Sequence, residues 1–130
     1  MIQVYLLINA ISYLGFSLWC LIKSQTTSHA LGYHFLNNSG KVEYLTVYTG
    51  MELGFAVFFA LCAFFPGLRL AGLLFAACLY IGLMILRPLS ALHYGQISKM
   101  TYIIGSLEWG LGIWGIVLLV IELKKLNYTL

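Results

Sequence analysis

The charged side chains of this sequence fall between four long apolar runs, with two exceptions. Seven Lys/Arg and four Glu residues make up 8% of the 130 residues, against about 25% in an ordinary soluble domain. With 62% of the residues hydrophobic, there are too few charges to cover a water-facing globule. Lys23, Lys41, Glu43, Arg69, Arg87, Lys99, Glu122, Lys124 and Lys125 mark the ends of the runs or lie between them. Glu52 and Glu108 lie inside. A membrane-spanning helix needs roughly 20 consecutive apolar residues, and stretches at about 2–22, 44–64, 69–87 and 101–122 satisfy this. The chain therefore reads as an all-α membrane protein. It is a single domain over residues 1–130, an antiparallel bundle of four transmembrane helices with a short interfacial helix in the first loop. The lipid bilayer is its first partner.

Other classes are excluded by what the charges and ligating residues do not form. The formal net charge of +3 is spread over loops and a short tail, with no basic cluster to track a phosphate backbone, so nucleic acid is not a partner. Cys20, Cys62 and Cys78 form no Cys-x-x-Cys and lie in apolar runs. They read as small buried hydrophobes. His29 and His34 are five residues apart, a spacing that does not share a helical face, so no metal site is expected. No residue pattern calls for a cofactor.

The first run has no basic leader and no Ala-x-Ala cleavage site, so it reads as a retained helix. Tyr5, Asn9, Ser12 and Trp19 share one helical face, and Asn9 and Ser12 would be costly facing lipid, so this face is expected to turn toward the other helices. In the polar segment that follows, Ala30–Leu36 could form two helical turns. Asn37-Asn38-Ser39-Gly40 reads as a turn and cap, with Gly40 and Glu43 as a weak capping box. Pro66-Gly67 makes the next reversal so tight that spans two and three must be antiparallel neighbours. Pro88 is expected to close the third span. His93 and Tyr94 in the loop beyond it read as interfacial anchors, and Trp109 and Trp114 as packing or belt residues.

Depth and face bring the buried polar residues together. At about 1.5 Å per residue, Glu52 lies about 12 Å below the side bearing the first and third loops, and Glu108 and Tyr80 about 10 Å below it. Glu108 is in helical register with Thr101, Gly105, Gly112 and Gly115. Such a stripe of small residues lets a neighbouring helix approach closely. Tyr48 and Tyr44 stack above Glu52 on one face, and Arg87 lies in register with Tyr80. The expectation is a cavity at the bundle interior, open toward the first or third loop. Glu52, Glu108, Tyr48, Tyr80, Asn9, Ser12 and Arg87 are the candidate ligand-binding residues. Two carboxyls so close resist simultaneous ionisation, and Arg87 would offset this if it turned inward. The alternative is structural: protonated glutamates hydrogen-bonded to Tyr or Asn as helix–helix glue.

The motifs also carry a resemblance. Ala30-Leu31-Gly32-Tyr33, Asn38-Ser39-Gly40 with Glu43, and Tyr48-Thr49-Gly50-Met51-Glu52-Leu53-Gly54 followed by Phe58-Phe59 are its core. Pro66, Arg69-Leu70-Ala71-Gly72 and Glu108 extend it. Together they resemble the DoxX-like superfamily of small bacterial membrane proteins, and within it the family labelled domain of unknown function 4345. The resemblance implies a four-helix bundle with a polar core layer in the bacterial inner (plasma) membrane, and brings no assigned activity. Members of the wider superfamily hold apolar ligands between helices, and some serve redox or quinone-linked systems; a thiol version of that role would need paired cysteines.

Three functions are compatible with these residues. The first is binding of a small apolar or amphipathic molecule of the lipid, isoprenoid or quinone class. The second is an accessory or assembly subunit, or a homodimer, joined through Gly50-x-x-x-Gly54. The third is an isomerase-like enzyme using Glu52 and Glu108 as acid and base. A proton-coupled transporter would need a dimer. The paired lysines after the last span and the long first loop place both termini in the cytoplasm, although the Lys/Arg asymmetry behind that expectation is small.

Overall fold

The structure is a computed structural model that describes residues 1–127. Five helices account for it: α1 (Ile2–Ile22), α2 (Ser24–Ala30), α3 (Asn38–Phe64), α4 (Arg69–Tyr94) and α5 (Lys99–Asn127). Four of them, α1, α3, α4 and α5, are long and apolar enough to cross a membrane. The chain is an all-α, multi-pass membrane bundle. Val4, Ile11, Leu18, Val57, Ile85, Ile113 and Val117 are among the large apolar side chains on its outer surface, where hydrocarbon is the only favourable solvent for them.

Helix boundaries depart from the sequence reading at three places. The short helix in the first loop is Ser24–Ala30 and not Ala30–Leu36. It ends where Gly32 takes φ +87° and the Tyr33 amide donates back to the Ser28 carbonyl at 2.7 Å, a closure that favours glycine. The helix of span two begins at Asn38, because the Asn37 side chain accepts a hydrogen bond from the Gly40 amide at 2.9 Å. Asn37 is thus the cap within the expected Asn37–Gly40 turn, and Gly40 is its donor rather than the start of a capping box with Glu43.

The third correction concerns Pro88, which lies inside α4; the helix runs on to Tyr94. Proline removes one backbone donor, but breaking the helix would expose several more backbone groups. Gly95, at φ +82°, ends it, and the loop shrinks to residues 95–98. His93 and Tyr94 are therefore helical. Ser98 then caps α5 by accepting from the Thr101 amide at 3.2 Å.

Helix α1 packs along α3, and α4 along α5; these are the most extensive pairings. The turn at Pro66–Leu68 joins α3 to α4 as antiparallel neighbours. Lipid is as apolar as the bundle interior, so close van der Waals packing must hold these helices together. Glycines permit it. A Cβ on Gly72 would lie 2.8 Å from Cys62 Cβ, and one on Gly112 would lie 2.9 Å from Tyr80 Cβ. At Gly115 it would collide with the Tyr5 ring.

The well-packed core is Tyr5, Leu6, Ala10, Phe59, Cys62, Ala63, Leu73, Ala76, Tyr80 and Leu118. These residues come from the early part of α1, the end of α3, the early part of α4 and the late part of α5. They fill the half of the bundle nearest the α3–α4 turn. Cys20 and Cys62 are buried as expected, whereas Cys78 is exposed on the outer face of α4.

Candidate functional site

The other half of the bundle holds a chamber of about 390 Å3. Tyr13 and Phe16 of α1, Tyr48, Glu52 and Phe55 of α3, Leu83 and Arg87 of α4, and Thr101, Ile104 and Glu108 of α5 line it, with Leu31 and Tyr33 from the first loop. Its size falls within the usual range for small-molecule sites, as does its mix of aromatic walls and a few polar groups.

Arg87 and Glu108 form a bidentate ion pair. Arg87 Nε donates to Glu108 Oε2 at 2.6 Å and Nη2 to Oε1 at 2.5 Å. The arginine turns inward, the condition under which it offsets the two carboxyls, and lies across α5. Gly105 is what lets it do so: a Cβ there would stand 2.8 Å from Arg87 Cδ. The fork geometry matches both carboxylate oxygens. The two glutamates are therefore not equivalent. Glu108 has its counter-ion, and the problem of a buried charge reduces to Glu52.

Glu52 has no such partner. Its Oε2 is buried without a hydrogen bond, and so is Oγ1 of Thr49, three residues earlier. Just before Glu52 the backbone widens into a π-helical turn over Thr46–Met51. Thr46, Val47, Thr49 and Gly50 are all poor α-helix formers, and the Ser17 hydroxyl donates to the Thr49 carbonyl at 2.9 Å, which satisfies an acceptor inside the irregular turn. Such turns are frequent at functional sites. This one re-aims the helix at the residue before the unpartnered carboxyl.

A tyrosine cluster closes the chamber toward the first loop. The Tyr33 and Tyr48 hydroxyls are 2.7 Å apart, and Tyr48 stacks on Tyr44 with ring centroids 4.7 Å apart. Tyr44 is itself buried and donates to Thr27 Oγ1 at 2.9 Å, so it anchors α2 rather than the chamber. Ser98 donates to the Ala30 carbonyl at 3.3 Å, tying the α4–α5 loop to the first loop.

A narrower cleft of about 150 Å3 continues from the chamber between α1 and α5. It shares Tyr13, Phe16, Glu52, Ile104 and Glu108 with the chamber and adds Ser12, Tyr80, Leu107 and Leu111. Ser12 and Leu107 are exposed on the outer surface. Helices α1 and α5 touch little, which leaves the cleft open on the side of the bundle between them.

Of the seven residues singled out in the sequence, Glu52, Glu108, Tyr48 and Arg87 line the chamber. Tyr80 and Ser12 line the cleft only. Ser12 is exposed, contrary to an inward-facing Tyr5–Asn9–Ser12–Trp19 face. The true inward stripe of α1 runs Tyr5, Asn9, Tyr13, Phe16 and Cys20. Asn9 lines neither cavity. Its Oδ1 accepts from the Tyr80 hydroxyl at 2.6 Å and its Nδ2 donates to the Tyr5 carbonyl at 2.8 Å, a closed structural pair beneath the site.

Sequence reasoning missed Tyr13, Phe16 and Tyr33. The first two sit four and seven residues after Asn9, a helical spacing that could have found them. Tyr33 is placed by the glycine turn before it and left no periodic signal.

His29 and His34 do meet, ring centroids 4.5 Å apart, because α2 ends between them. No group of three or more metal-ligating His, Cys, Asp or Glu side chains exists among the described residues. No protein-family model, no curated protein and no solved structure matches the chain.

Proposed function

We propose that this protein holds a small amphipathic molecule, of the lipid, isoprenoid or quinone class, in the chamber around Glu52. The observation that carries the reading is the buried, unpartnered Glu52 oxygen facing a chamber with aromatic walls. A buried polar group without a partner costs about 1–3 kcal/mol, and a ligand that supplies a donor recovers it. The chamber accommodates a head group or ring system, and an apolar chain reaches the bilayer through the α1–α5 cleft. Membership of the DoxX-like superfamily, residence in a bacterial inner membrane and cytoplasmic termini belong to the same reading, resting on the sequence motifs and on Lys124 and Lys125 beyond the last apolar run.

Two other activities fit less of the geometry. An acid–base isomerase needs two available carboxyls, and Glu108 is committed to Arg87. An assembly role has one supporting observation: Gly50 and Gly54 lie exposed on α3 with open space where a side chain would be.

Native mass spectrometry of protein extracted in mild detergent tests the binding reading. The expected result is a small-molecule adduct on the wild type that is lost from Glu52→Gln. An adduct retained undiminished by Glu52→Gln, or no adduct on either protein after extraction directly into native nanodiscs, would overturn it.

A further inference from the structure

We infer that the head group taken by the chamber is cationic, a protonated amine or quaternary ammonium carried on an apolar chain. The inference rests on the amphiphile-binding reading above and adds the charge of the ligand. The charged side chains lining the chamber are Glu52, Arg87 and Glu108. Arg87 and Glu108 pair through two hydrogen bonds, so the carboxyl left to meet a ligand's charge is Glu52, whose Oε2 has no partner. An anionic head group would face that carboxylate with its only available cation already engaged. A neutral head group is compatible only with a protonated Glu52, since an unbalanced charge is not kept in a low-dielectric site. A cation balances it.

The walls point the same way. Tyr13, Phe16, Tyr48 and Phe55 line the chamber together with Glu52. Their rings are placed on two helices by packing, Tyr13 against Phe55 and Phe59 with centroids 5.5 and 5.6 Å apart, and Phe16 against Tyr48 at 6.4 Å. Aromatic faces attract ammonium groups through the ring quadrupole, and several rings around one carboxylate form a recognised cage for such ligands. The lateral cleft between α1 and α5, exposed at Ser12 and Leu107, gives the apolar chain its exit into hydrocarbon.

Thermal unfolding of the full chain in nanodiscs of zwitterionic lipid tests this, using decyltrimethylammonium, decan-1-ol and decanoate at matched concentrations. Glu52→Gln in the same nanodiscs corrects for non-specific partitioning into the bilayer. The expected result is a saturable rise in the wild-type unfolding midpoint with the ammonium probe alone, its apparent affinity weakened at least about tenfold in Glu52→Gln. An equal saturable response to decan-1-ol, or a response to decanoate, overturns the cationic head group and leaves the binding reading standing. No saturable response to any of the three overturns the binding reading itself. If Glu52→Gln fails to fold, Tyr48→Leu decides: it should weaken the ammonium response several-fold, and an unchanged response overturns the inference.

Discussion

Arg87 and Glu108 show how one residue's value depends on a neighbour that has no side chain. The pair is only partly buried, with side-chain exposures of 29% and 16%, and the arginine reaches the carboxylate only because Gly105 leaves room for its stem. Removing one member strands the other's charge in the chamber wall. Arg87→Ala should lower unfolding stability by about 3 kcal/mol, the lower end for a buried pair because both groups retain some exposure. Arg87→Met combined with Glu108→Leu should recover most of that loss, since replacing both charges by apolar groups removes the desolvation penalty. Urea titration in detergent micelles measures both; a double variant no more stable than the single one would mean that the pair contributes net attraction. The seven-residue spacing of Tyr80 and Arg87 told that both side chains share a face. It could not tell that Arg87 would pair with Glu108 and leave Glu52 alone, because that choice depends on how close α4 and α5 come.

At the scale of the helix, α3 is the element whose irregularity matters. Its extra residue in the turn Thr46–Met51 sets the rotation of everything before it relative to Glu52. Deleting Gly50, where an added side chain would meet open space, should restore a regular α-helix and rotate the preceding residues by about 100°. The Ser17–Thr49 and Tyr44–Thr27 hydrogen bonds would then be lost, at about 1 kcal/mol each, with far-UV circular dichroism nearly unchanged. An unfolding free energy equal to that of the parent would show that the turn is mere slack. Poor helix formers at Thr46, Val47, Thr49 and Gly50 are visible in the sequence, but they weaken a helix without saying how it yields. The Ser17 hydroxyl on a different helix decides that. Pro88 teaches the converse: a residue that often ends helices is carried inside one here, where it costs one backbone donor while the turns on either side continue.

For the whole molecule, four crossings put the α1–α3 and α4–α5 connections on one side of the bilayer and the α3–α4 turn on the other. The Ser98–Ala30 contact agrees with this arrangement. In a background lacking the native cysteines, Gln25→Cys and Ile97→Cys should react with an impermeant maleimide from the same side of sealed vesicles, and Gly67→Cys only from the opposite side. Labelling of Gln25→Cys and Ile97→Cys from opposite sides would sink the four-span topology. The bundle is packed asymmetrically along its length. The half near the α3–α4 turn is packed with small and aromatic residues in close register, and the half near the paired loops is left open around Glu52.

The sequence alone determined the solvent of this protein, the number of its long apolar helices and the placing of two carboxyls inside them. Those follow from composition, run length and a fixed rise per residue, all of which are local properties. Tertiary structure decided which carboxyl is paired, which is open, and that a cleft is left between α1 and α5. These depend on the distance between helices that are far apart in sequence, set by glycines whose effect is felt only when a second helix arrives to occupy the space.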